Sequence, residues 1–468
     1  MIDLISERVG GEVVECNDEF FAEAVNLIKA EEPVWKEDLY TDRGKWMDGW
    51  ETRRRREPGH DWCVVSLGIP GLIERVAVDT SHFTGNYPEE FSLDASPGND
   101  VWSELIPRTT LEGDANATFE VESPHRVAAV RLNIYPDGGV ARLRVEGKPI
   151  PSMHIVCPDG PTDLVDARLG GEWLDASDYH YSPPSNLLLP TSSAGMWDGW
   201  ETRRRRGTGH DWATFRLGLP GMVESFVVDT THFKGNSPGW VSIDLSADGV
   251  EWVTGVDEEP VSADSVNEVA LAEPAHARYV RLSLHPDGGV ARFRILGRPD
   301  LDAAGSLRLE YLNSLFEEAA RGFFFTTCVA KRWVEEMVAS RPYESTDSVL
   351  QRVGAVFDTL DEDDWLQAFA GHPRIGERGG ETENREQAGT ASASREVLRD
   401  LVDVNRRYEV KFGFTYIVYA TGKTAAEMLS IARARLENDR SAEIATAATE
   451  QRRITETRLR RMLCQEAR

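Results

Sequence analysis

Met47-Asp48-Gly49-Trp50-Glu51-Thr52-Arg53-Arg54-Arg55-Arg56, followed by Gly59-His60-Asp61-Trp62, is the stretch that decides the fold, because the chain contains it twice. The second copy runs from Asp198 to Arg206 and continues from Gly209 to Trp212. Subtracting 48 from 198 gives an offset of 150 residues. A long stretch that returns at one fixed offset predicts two copies of one domain.

Further segments keep the same offset. They are Asp79-Thr80, His82-Phe83 and Gly85-Asn86, which return from Asp229 to Asn236, and Pro136-Asp137-Gly138-Gly139, which returns from Pro286 to Gly289. Gly10-Gly11 and Gly170-Gly171 instead differ by 160 residues (170 − 10), so copy one holds about ten extra residues, within Glu31 to Trp46. Surface loops accept such insertions because the entropy of loop closure rises slowly with length.

The charge of the chain decides how the four consecutive arginines are interpreted. Clustered guanidinium groups are typical of proteins that bind nucleic acid. Residues 1–304, however, hold 28 Lys and Arg against 52 Asp and Glu, a net of −24, and residues 305–468 hold 24 against 27, a net of −3. An acidic surface repels polyanions and anionic membranes. We therefore expect no nucleic-acid or membrane partner and a local role for the arginines, which alternate between two faces in an extended segment.

Cysteine usage and the absence of targeting patterns predict a cytoplasmic protein. The five cysteines are odd in number and form no CxxC pair, which indicates reduced thiols. The sequence from Met1 to Arg8 lacks the basic flank and apolar core of a secretory signal, and no stretch of about twenty apolar residues occurs.

Alternating apolar residues predict strands throughout both copies. Val130, Leu132 and Ile134 alternate with polar residues before the turn at 136–139, and the residues from Val140 carry the chain back, which we interpret as a hairpin. After Gly305 the periodicity becomes helical, with Leu309, Leu312, Leu315 and Phe316 on one face and a helix start at Thr346. We predict two tandem antiparallel β-sandwich domains of the jelly-roll, galactose-binding-like type, at 1–150 and 151–300, followed by an all-α domain at 306–468.

Each copy concentrates carboxylates, imidazoles, guanidiniums and an amide, which together can bind and protonate a small anion. A guanidinium fork matches a carboxylate, and a His or carboxylate can shuttle protons. The predicted catalytic residues are Asp48, His60, His82, Asp198, His210 and His232, and the predicted substrate-binding residues are Glu51, Arg54, Asn86, Glu201, Arg204 and Asn236. For any one of them a structural role remains an equal alternative. A divalent metal is an open alternative, although the His and Asp spacing matches no known ligand motif.

The repeated stretches DGWETRRRR, GHDW, VDTxHFxGN and PDGGVARxR resemble those of the allantoicase family, across residues 5 to 300. That resemblance implies two jelly-roll repeats and hydrolysis of allantoate to ureidoglycolate and urea. We expect Arg54 and Arg204 to clamp the substrate carboxylate, while a His or Asp protonates the departing urea nitrogen and a base activates water. A pair of ligand-binding modules, or one active repeat beside a scaffold repeat, remain the alternatives.

The helical third resembles a second family, the 2-oxo-4-hydroxy-4-carboxy-5-ureidoimidazoline (OHCU) decarboxylases. GHPRIGER from Gly371, EQAG from Glu386, and RLEND from Arg435 stand in the family's order. The resemblance implies that OHCU is decarboxylated to (S)-allantoin with His372 and Glu386 catalytic. It implies substrate binding by Arg435, Pro373 and Gln387. Glu383 stands where that family commonly has a serine.

The combined prediction is a bifunctional enzyme of urate breakdown. Because the ring of OHCU can accept the electrons that decarboxylation leaves behind, we expect no pyridoxal or thiamine cofactor. The two reactions are not consecutive, so an allantoinase must act between them. A homo-oligomer is open.

Overall fold

The computed structural model describes residues 2–98, 101–151, 160–374 and 394–463, and its internal contacts divide the chain into two compact units, 1–314 and 315–468. The first unit contains both repeats. Its strands are antiparallel throughout. Within the described residues, repeat 1 forms an eight-stranded sheet and repeat 2 a seven-stranded sheet, each accompanied by short two-stranded pairs.

The strands of repeat 1 are β1 Ile2–Asp3, β2 Glu12–Cys16, β3 Tyr40–Thr41, β4 Gly44–Lys45, β5 Trp50–Glu51, β6 Asp61–Asp79, β7 Glu90–Ser96, β8 Ser103–Thr110, β9 Asn116–Glu120, β10 Val127–Tyr135, β11 Gly139–Val140 and β12 Arg142–Pro149. Those of repeat 2 are β13 Thr162–Asp163, β14 Glu172–Ala176, β15 Trp200–Glu201, β16 Asp211–Asp229, β17 Trp240–Ser246, β18 Val253–Pro260, β19 Val266–His285, β20 Gly289–Val290 and β21 Arg292–Pro299. The sandwich fold predicted from the alternation is confirmed.

Strand β6 organises repeat 1, and β16 does the same in repeat 2. Its 19 residues alternate between buried and half-buried positions along almost their whole length. The first half of β6 pairs with β10, so Asp61 lies opposite Ile134, and the second half pairs with β12, so Asp79 lies opposite Arg142. Both ends of β6 therefore reach the turn at 136–141, and the loops around that turn form one edge of the repeat.

The predicted hairpin between β10 and β12 is wrong. Both strands exist where the alternation places them, but each pairs with β6 instead of with the other. Alternation reports that a strand has one buried face, and it does not report the partner. The long β6 offers a partner to both strands, so the turn crosses from one half of β6 to the other.

The extra residues of repeat 1 form a small hairpin of their own, β3–β4, in which Tyr40 pairs with Lys45. The ammonium group of Lys45 lies 4.5 Å from the ring centroid of Trp35 and 4.9 Å from that of Tyr40. Trp35 in turn contacts the ring of His82, with centroids 5.9 Å apart. The insertion therefore reaches the loops at the edge of the repeat.

The helices of the described residues are α1 Leu301–Ser314, α2 Glu317–Phe325, α3 Lys331–Ala339, α4 Thr346–Phe357, α5 Glu362–Ala370, α6 Arg395–Phe412, α7 Ala425–Arg435 and α8 Arg440–Met462. Helix α4 begins at the predicted Thr346, and Ser345 caps it. None of the helices described is long and apolar enough to cross a membrane.

Helix α1 belongs to the first unit, although it follows repeat 2 in the chain. It contacts repeat 1: Lys148 forms an ion pair with Glu310, and the backbone N–H of Arg126 donates to the carbonyl of Ser314 at 2.8 Å. The guanidinium of Arg126 also lies 5.5 Å from the ring centroid of Tyr311. Helix α1 thus connects the end of repeat 2 to repeat 1.

Candidate active sites

The repeated arginine stretch lies at the edge that β6 defines, and we call this edge the rim: residues 47–61, 80–89 and 136–141 in repeat 1, and 197–211, 230–239 and 286–291 in repeat 2. Glu51 pairs with Gly139, and the backbone N–H of Thr52 donates to the carbonyl of Gly138 at 3.1 Å. The carbonyl of Asn86 accepts from the N–H of Gly139 at 2.7 Å. Three loops that are distant in sequence are therefore joined, and repeat 2 shows the same pairing of Glu201 with Gly289.

Two side chains fix the rim to the core. The indole of Trp50 is fully buried, and its Nε1 donates to the carbonyl of Asp18 at 2.8 Å. Gly139 must be a glycine, because a Cβ atom there would lie 2.0 Å from the ring of Phe83. Gly139 therefore packs closely against the ring of Phe83. Because Glu51 pairs with Gly139, this packing also fixes the backbone of Glu51, a candidate site residue.

The four arginines of repeat 1 alternate in their bonding. Nε of Arg53 lies 2.6 Å from a carboxylate oxygen of Asp18, and Nη1 of Arg55 lies 2.5 Å from one of Asp61. Arg54 is exposed, and no hydrogen bond or ion pair of its side chain occurs among the described residues. The odd-numbered arginines thus hold the loop, while Arg54, like the equally exposed Arg56, presents a guanidinium with no partner among the described residues. The predicted alternation between an inward and an outward face is not what the structure shows: pairing alternates, but the paired Arg53 side chain is 64% exposed.

Repeat 2 reproduces this pattern. Arg203 pairs with Asp178 at 2.8 Å, and Arg205 pairs with Asp211. Arg204 is exposed and, within the part of the chain that the structure describes, has no side-chain partner. Asp18 and Asp178 stand outside the repeated stretches, and their role was not predicted from sequence.

Glu51 and Asn86, both predicted to bind substrate, lie together. The amide of Asn86 donates to Oε1 of Glu51 at 2.8 Å, and that of Asn236 donates to Oε1 of Glu201 at 2.7 Å. Burial raises the pKa of Glu51 above its ordinary value, although the hydrogen bond from Asn86 opposes the shift. A carboxyl group with a raised pKa is suited to exchanging protons near neutral pH.

Asp48 and Asp198, predicted as catalytic, form buried ion pairs. Oδ2 of Asp48 accepts from Nη2 of Arg142 at 2.9 Å and from the N–H of Val34 at 3.0 Å. Burial raises the pKa of Asp48, but the bonds from Arg142 and Val34 outweigh it and lower the pKa overall. Asp198 and Arg292 pair in the same way at 2.8 Å. These contacts are those of residues that position a loop, and Arg142 and Arg292 could be found in the sequence only as part of the PDGGVAR stretch.

His82 lies near Asp48 at one side of the rim. It adopts a left-handed backbone conformation, with φ of 70°, and its N–H donates to Asp114 at 2.8 Å. Its Nε2 lies 3.2 Å from the carbonyl of Pro33. A carbonyl can only accept, so Nε2 carries the proton and Nδ1 is the basic nitrogen of the neutral ring. His232 makes the equivalent contact with the carbonyl of Ser193 at 2.9 Å.

His60 lies at the other side of the rim. Its ring contacts that of Tyr135, with centroids 4.8 Å apart, and the ring of His210 contacts His285 at 4.6 Å. Burial and the neighbouring His210 lower the pKa of His285. The rim of repeat 1 therefore carries two imidazoles, that of His82 against the carbonyl of Pro33 and that of His60 against the ring of Tyr135.

The described part of the rim offers no ready metal site. No group of three or more His, Cys, Asp and Glu side chains among the described residues is arranged to hold an ion.

In the helical unit, His372 follows α5 and is half-buried, with its backbone N–H donating to the carbonyl of Phe369 at 3.2 Å. Pro373 next to it is also half-buried. Arg374 pairs with Glu409 through two bonds, of 2.7 and 2.9 Å. Glu386 and Gln387, the other predicted residues of this site, lie outside the described residues.

Arg435 lies in a buried network at the end of α7. Its Nε donates to Glu443 at 2.7 Å and its Nη1 to the carbonyl of Ile417 at 2.7 Å. The hydroxyl of Tyr408 also bonds to Glu443, and burial raises the pKa of Tyr408 above its ordinary range. Arg435 is 7% exposed, so most of its donors serve the interior.

Family models match both parts of the chain. The allantoicase repeat matches residues 2–150 and 162–300, and OHCU decarboxylase matches residues 313–460. A Pseudomonas paraeruginosa (strain DSM 24068 / PA7) protein named "Probable allantoicase" is 43% identical over 325 residues, which cover 64% of this chain and 96% of the relative. The chain belongs to the allantoicase family.

Other allantoicases extend the comparison. A Burkholderia pseudomallei (strain K96243) protein named "Probable allantoicase 2" is 41% identical over 63% of this chain and 94% of its own length. The crystal structure of allantoicase from Saccharomyces cerevisiae has 32% identity and a TM-score of 0.53, and it covers 63% of this chain and 92% of that chain. Because this member of the family also carries the OHCU decarboxylase domain, it is a bifunctional enzyme of urate breakdown, a hydrolase and a lyase. An enzyme, rather than a pair of binding modules alone, is confirmed.

Proposed function

We propose that the rim of each repeat is an allantoate site, in which Arg54 or Arg204 binds the substrate carboxylate and Glu51 or Glu201 transfers the proton. The observation that supports this is the alternation of the arginines: Arg53 and Arg55 are paired with carboxylates, and Arg54 is left without a partner among the described residues. In a chain of net charge −27, a guanidinium without a partner among the described residues is a place where a small anion can bind.

Hydrolysis of allantoate replaces a C–N bond of the central carbon with a C–O bond. Water supplies the hydroxyl group and one proton, and the departing nitrogen takes a proton to become urea. Asn86 holds Oε1 of Glu51 at 2.8 Å, which leaves Oε2 to accept the proton of water or to donate one to nitrogen.

The histidines provide a second route for the proton. Nδ1 of His82 is the basic nitrogen when Nε2 donates to Pro33, and His60 lies beside the paired Asp61. In this proposal Asp48 and Asp198 move from proton transfer to positioning, because their oxygens bind Arg142 and Arg292.

For the decarboxylase we propose that His372, with Glu386, supplies the proton that replaces the departing CO2. Arg435 has one Nη1 hydrogen left after its bonds to Glu443 and Ile417, and this donor would contact the substrate beside Pro373 and Gln387. The ring of OHCU takes the electrons of the broken C–C bond, so we propose that this half works without an organic cofactor or a metal.

The surroundings of the enzyme follow from the same proposal. We propose a cytoplasmic protein, self-associating, whose allantoin passes to an allantoinase before allantoate returns to the rim. We further propose that the allantoicase half requires a divalent metal for urea release. Urea release measured after chelation, and again after a divalent ion is added back, tests this requirement.

The test of the rim site is urea release from allantoate by an Arg54→Lys, Arg204→Lys double variant. Lysine keeps the positive charge but lacks the forked guanidinium that binds both oxygens of a carboxylate. We therefore expect kcat/KM to fall about tenfold or more and the free energy of unfolding to stay unchanged. Arg216→Lys is the matched control, because Arg216 forms a half-exposed pair with Glu172 on β14 and β16, outside the rim. Equal kcat/KM in the double variant and the control would remove these arginines from the site.

A further inference from the structure

The rim of repeat 2 is held by a residue of repeat 1. Nε of Arg8 lies 3.1 Å and Nη2 lies 3.0 Å from Oδ1 of Asp198, the first residue of the second arginine stretch. Arg8 also lies over the ring of Trp197, 5.4 Å from its centroid. Its side chain is 23% exposed and that of Asp198 is 4% exposed, so water screens this pair only partly.

Further hydrogen bonds connect Arg8 to the buried ion pair of Arg292 with Asp198. The hydroxyl of Thr191 donates to the carbonyl of Arg8 at 2.7 Å, and the carbonyl of Thr191 accepts from Nε of Arg292 at 2.7 Å. Arg292 binds the other oxygen of Asp198, Oδ2, at 2.8 Å. Both oxygens of Asp198 are thereby held by guanidiniums, one from each repeat.

Repeat 1 shows no such dependence among the residues that the structure describes. There, the ion pair of Oδ1 of Asp48 is with Lys29 of the same repeat, at 3.8 Å. The residue equivalent to Arg8 at the offset of 160 is Arg168, and its guanidinium binds Asp166 two residues away, with Nη2 at 2.6 Å. Arg8 therefore binds a carboxylate of the other repeat, whereas its equivalent Arg168 binds a carboxylate of its own repeat.

The difference has a chemical cause in the neighbouring residue. Asp166 accepts the backbone N–H of Arg168 at 2.8 Å and also binds its guanidinium. Ser6, the equivalent residue, accepts the backbone N–H of Arg8 at 3.3 Å but has no carboxylate. Ser6 therefore leaves the guanidinium of Arg8 available to Asp198.

We propose that Arg8 is a positioning residue for the active site of repeat 2, so that this site depends on repeat 1 while the site of repeat 1 is self-contained. The inference rests on the proposed rim sites. Arg8 acts through Asp198: by fixing the start of the stretch, it fixes where Arg204 and Glu201 present their side chains, and small displacements of such groups slow reactions strongly.

Two variants break the link differently. Arg8→Ala removes the guanidinium, and Ser6→Asp supplies the carboxylate that should bind Arg8 locally, as Asp166 binds Arg168. Each is combined with Arg54→Ala, which leaves only the repeat 2 site, and with Arg204→Ala, which leaves only the repeat 1 site. Arg168→Ala is the matched control, because it removes an equivalent pair that stays within one repeat.

We expect Arg8→Ala and Ser6→Asp each to lower kcat/KM for urea release about tenfold or more in the Arg54→Ala background. In the Arg204→Ala background, we expect each to change kcat/KM by no more than about twofold. Amide hydrogen exchange supplies a readout without substrate: residues 194–206 should exchange faster and residues 44–56 unchanged. The control Arg168→Ala should neither lower kcat/KM in the Arg54→Ala background nor speed exchange at residues 194–206.

Equal losses in both backgrounds, or unchanged exchange at 194–206, would overturn the proposal, since a general weakening of the fold affects both repeats. Faster exchange without a loss in the Arg54→Ala background would also overturn it. If Arg54→Ala and Arg204→Ala had no effect even when combined, the proposed rim site would fail, and exchange would still decide whether Arg8 holds the loop.

Discussion

At the scale of single residues, the two repeats separate side chains that hold the rim from those left to act. Arg53 and Arg55 are engaged by Asp18 and Asp61, and Arg54 is available. The sequence predicted the rim residues as a set, because repetition marks them together. It did not separate positioning from reacting residues, because the partner Asp18 is distant in sequence and carries no motif.

The positioning role of Asp48 predicts a large effect on stability. In Asp48→Asn the buried guanidinium of Arg142 loses its counter-charge, and we expect the free energy of unfolding to fall by about 3 kcal/mol. Chemical denaturation of the full-length chain measures this.

Asp18→Asn is the control, because the Arg53 side chain of that pair is 64% exposed and the pair should contribute less than about 1 kcal/mol. A similar loss in both variants would show that burial of the Asp48 pair is not what stabilises the rim.

At the scale of elements, the strands were predictable and their partners were not. The alternation around 130–145 located β10 and β12 correctly and suggested the wrong pairing, because β6 supplies both partners. Helix α4 began where the sequence placed it, since its cap is local. Local signals thus transferred well, whereas pairing depends on contacts between residues far apart in the chain.

The edge strands β1 and β13 predict a pH dependence. Burial raises the pKa of Asp3 and of Asp163 from 3.8 to about 6. Between about pH 4 and 6 these two carboxyls therefore bind more protons in the folded state than in the unfolded state, so their contribution to stability is fully present below that window and is lost as pH rises through 6. An Asp3→Asn, Asp163→Asn variant should lack this loss, which is about 3 kcal/mol per carboxyl for a rise of about two pKa units.

Denaturation at pH 4, 5, 6 and 7 measures it. Asp178→Asn is the control of opposite sign: although burial raises the pKa of Asp178, bonds from Arg203 and His180 lower it overall. Its contribution is present above the unfolded pKa and lost as pH falls. A double variant with the same pH profile as the parent chain would contradict the assignment.

At the scale of the whole molecule, two activities occupy two compact units. His372→Ala should abolish OHCU decarboxylation by removing the proton carrier and leave urea release from allantoate unchanged. Spectroscopic decay of OHCU and urea production are measured on one preparation. Loss of urea release by the folded variant would show that the two activities are coupled.

Helix α1 sets where the chain can be divided. A fragment ending at Ala304 would remove the partners of Lys148 and Arg126, whereas one ending at Ser314 keeps them. We expect the longer fragment to release urea at the rate of the intact chain and to melt several degrees above the shorter one. Equal melting temperatures would mean that α1 adds nothing to the first unit.

The difference between Ser6 in repeat 1 and Asp166 at the equivalent position of repeat 2 makes the two repeats unequal in how they depend on each other. Once the first copy lacks the local carboxylate and its arginine serves the second, a descendant can discard the second copy and keep a working first one. The reverse deletion leaves the surviving copy without its second guanidinium. The identity of one residue, Ser6, thus decides which of the two repeats can be removed without disturbing the rim of the other.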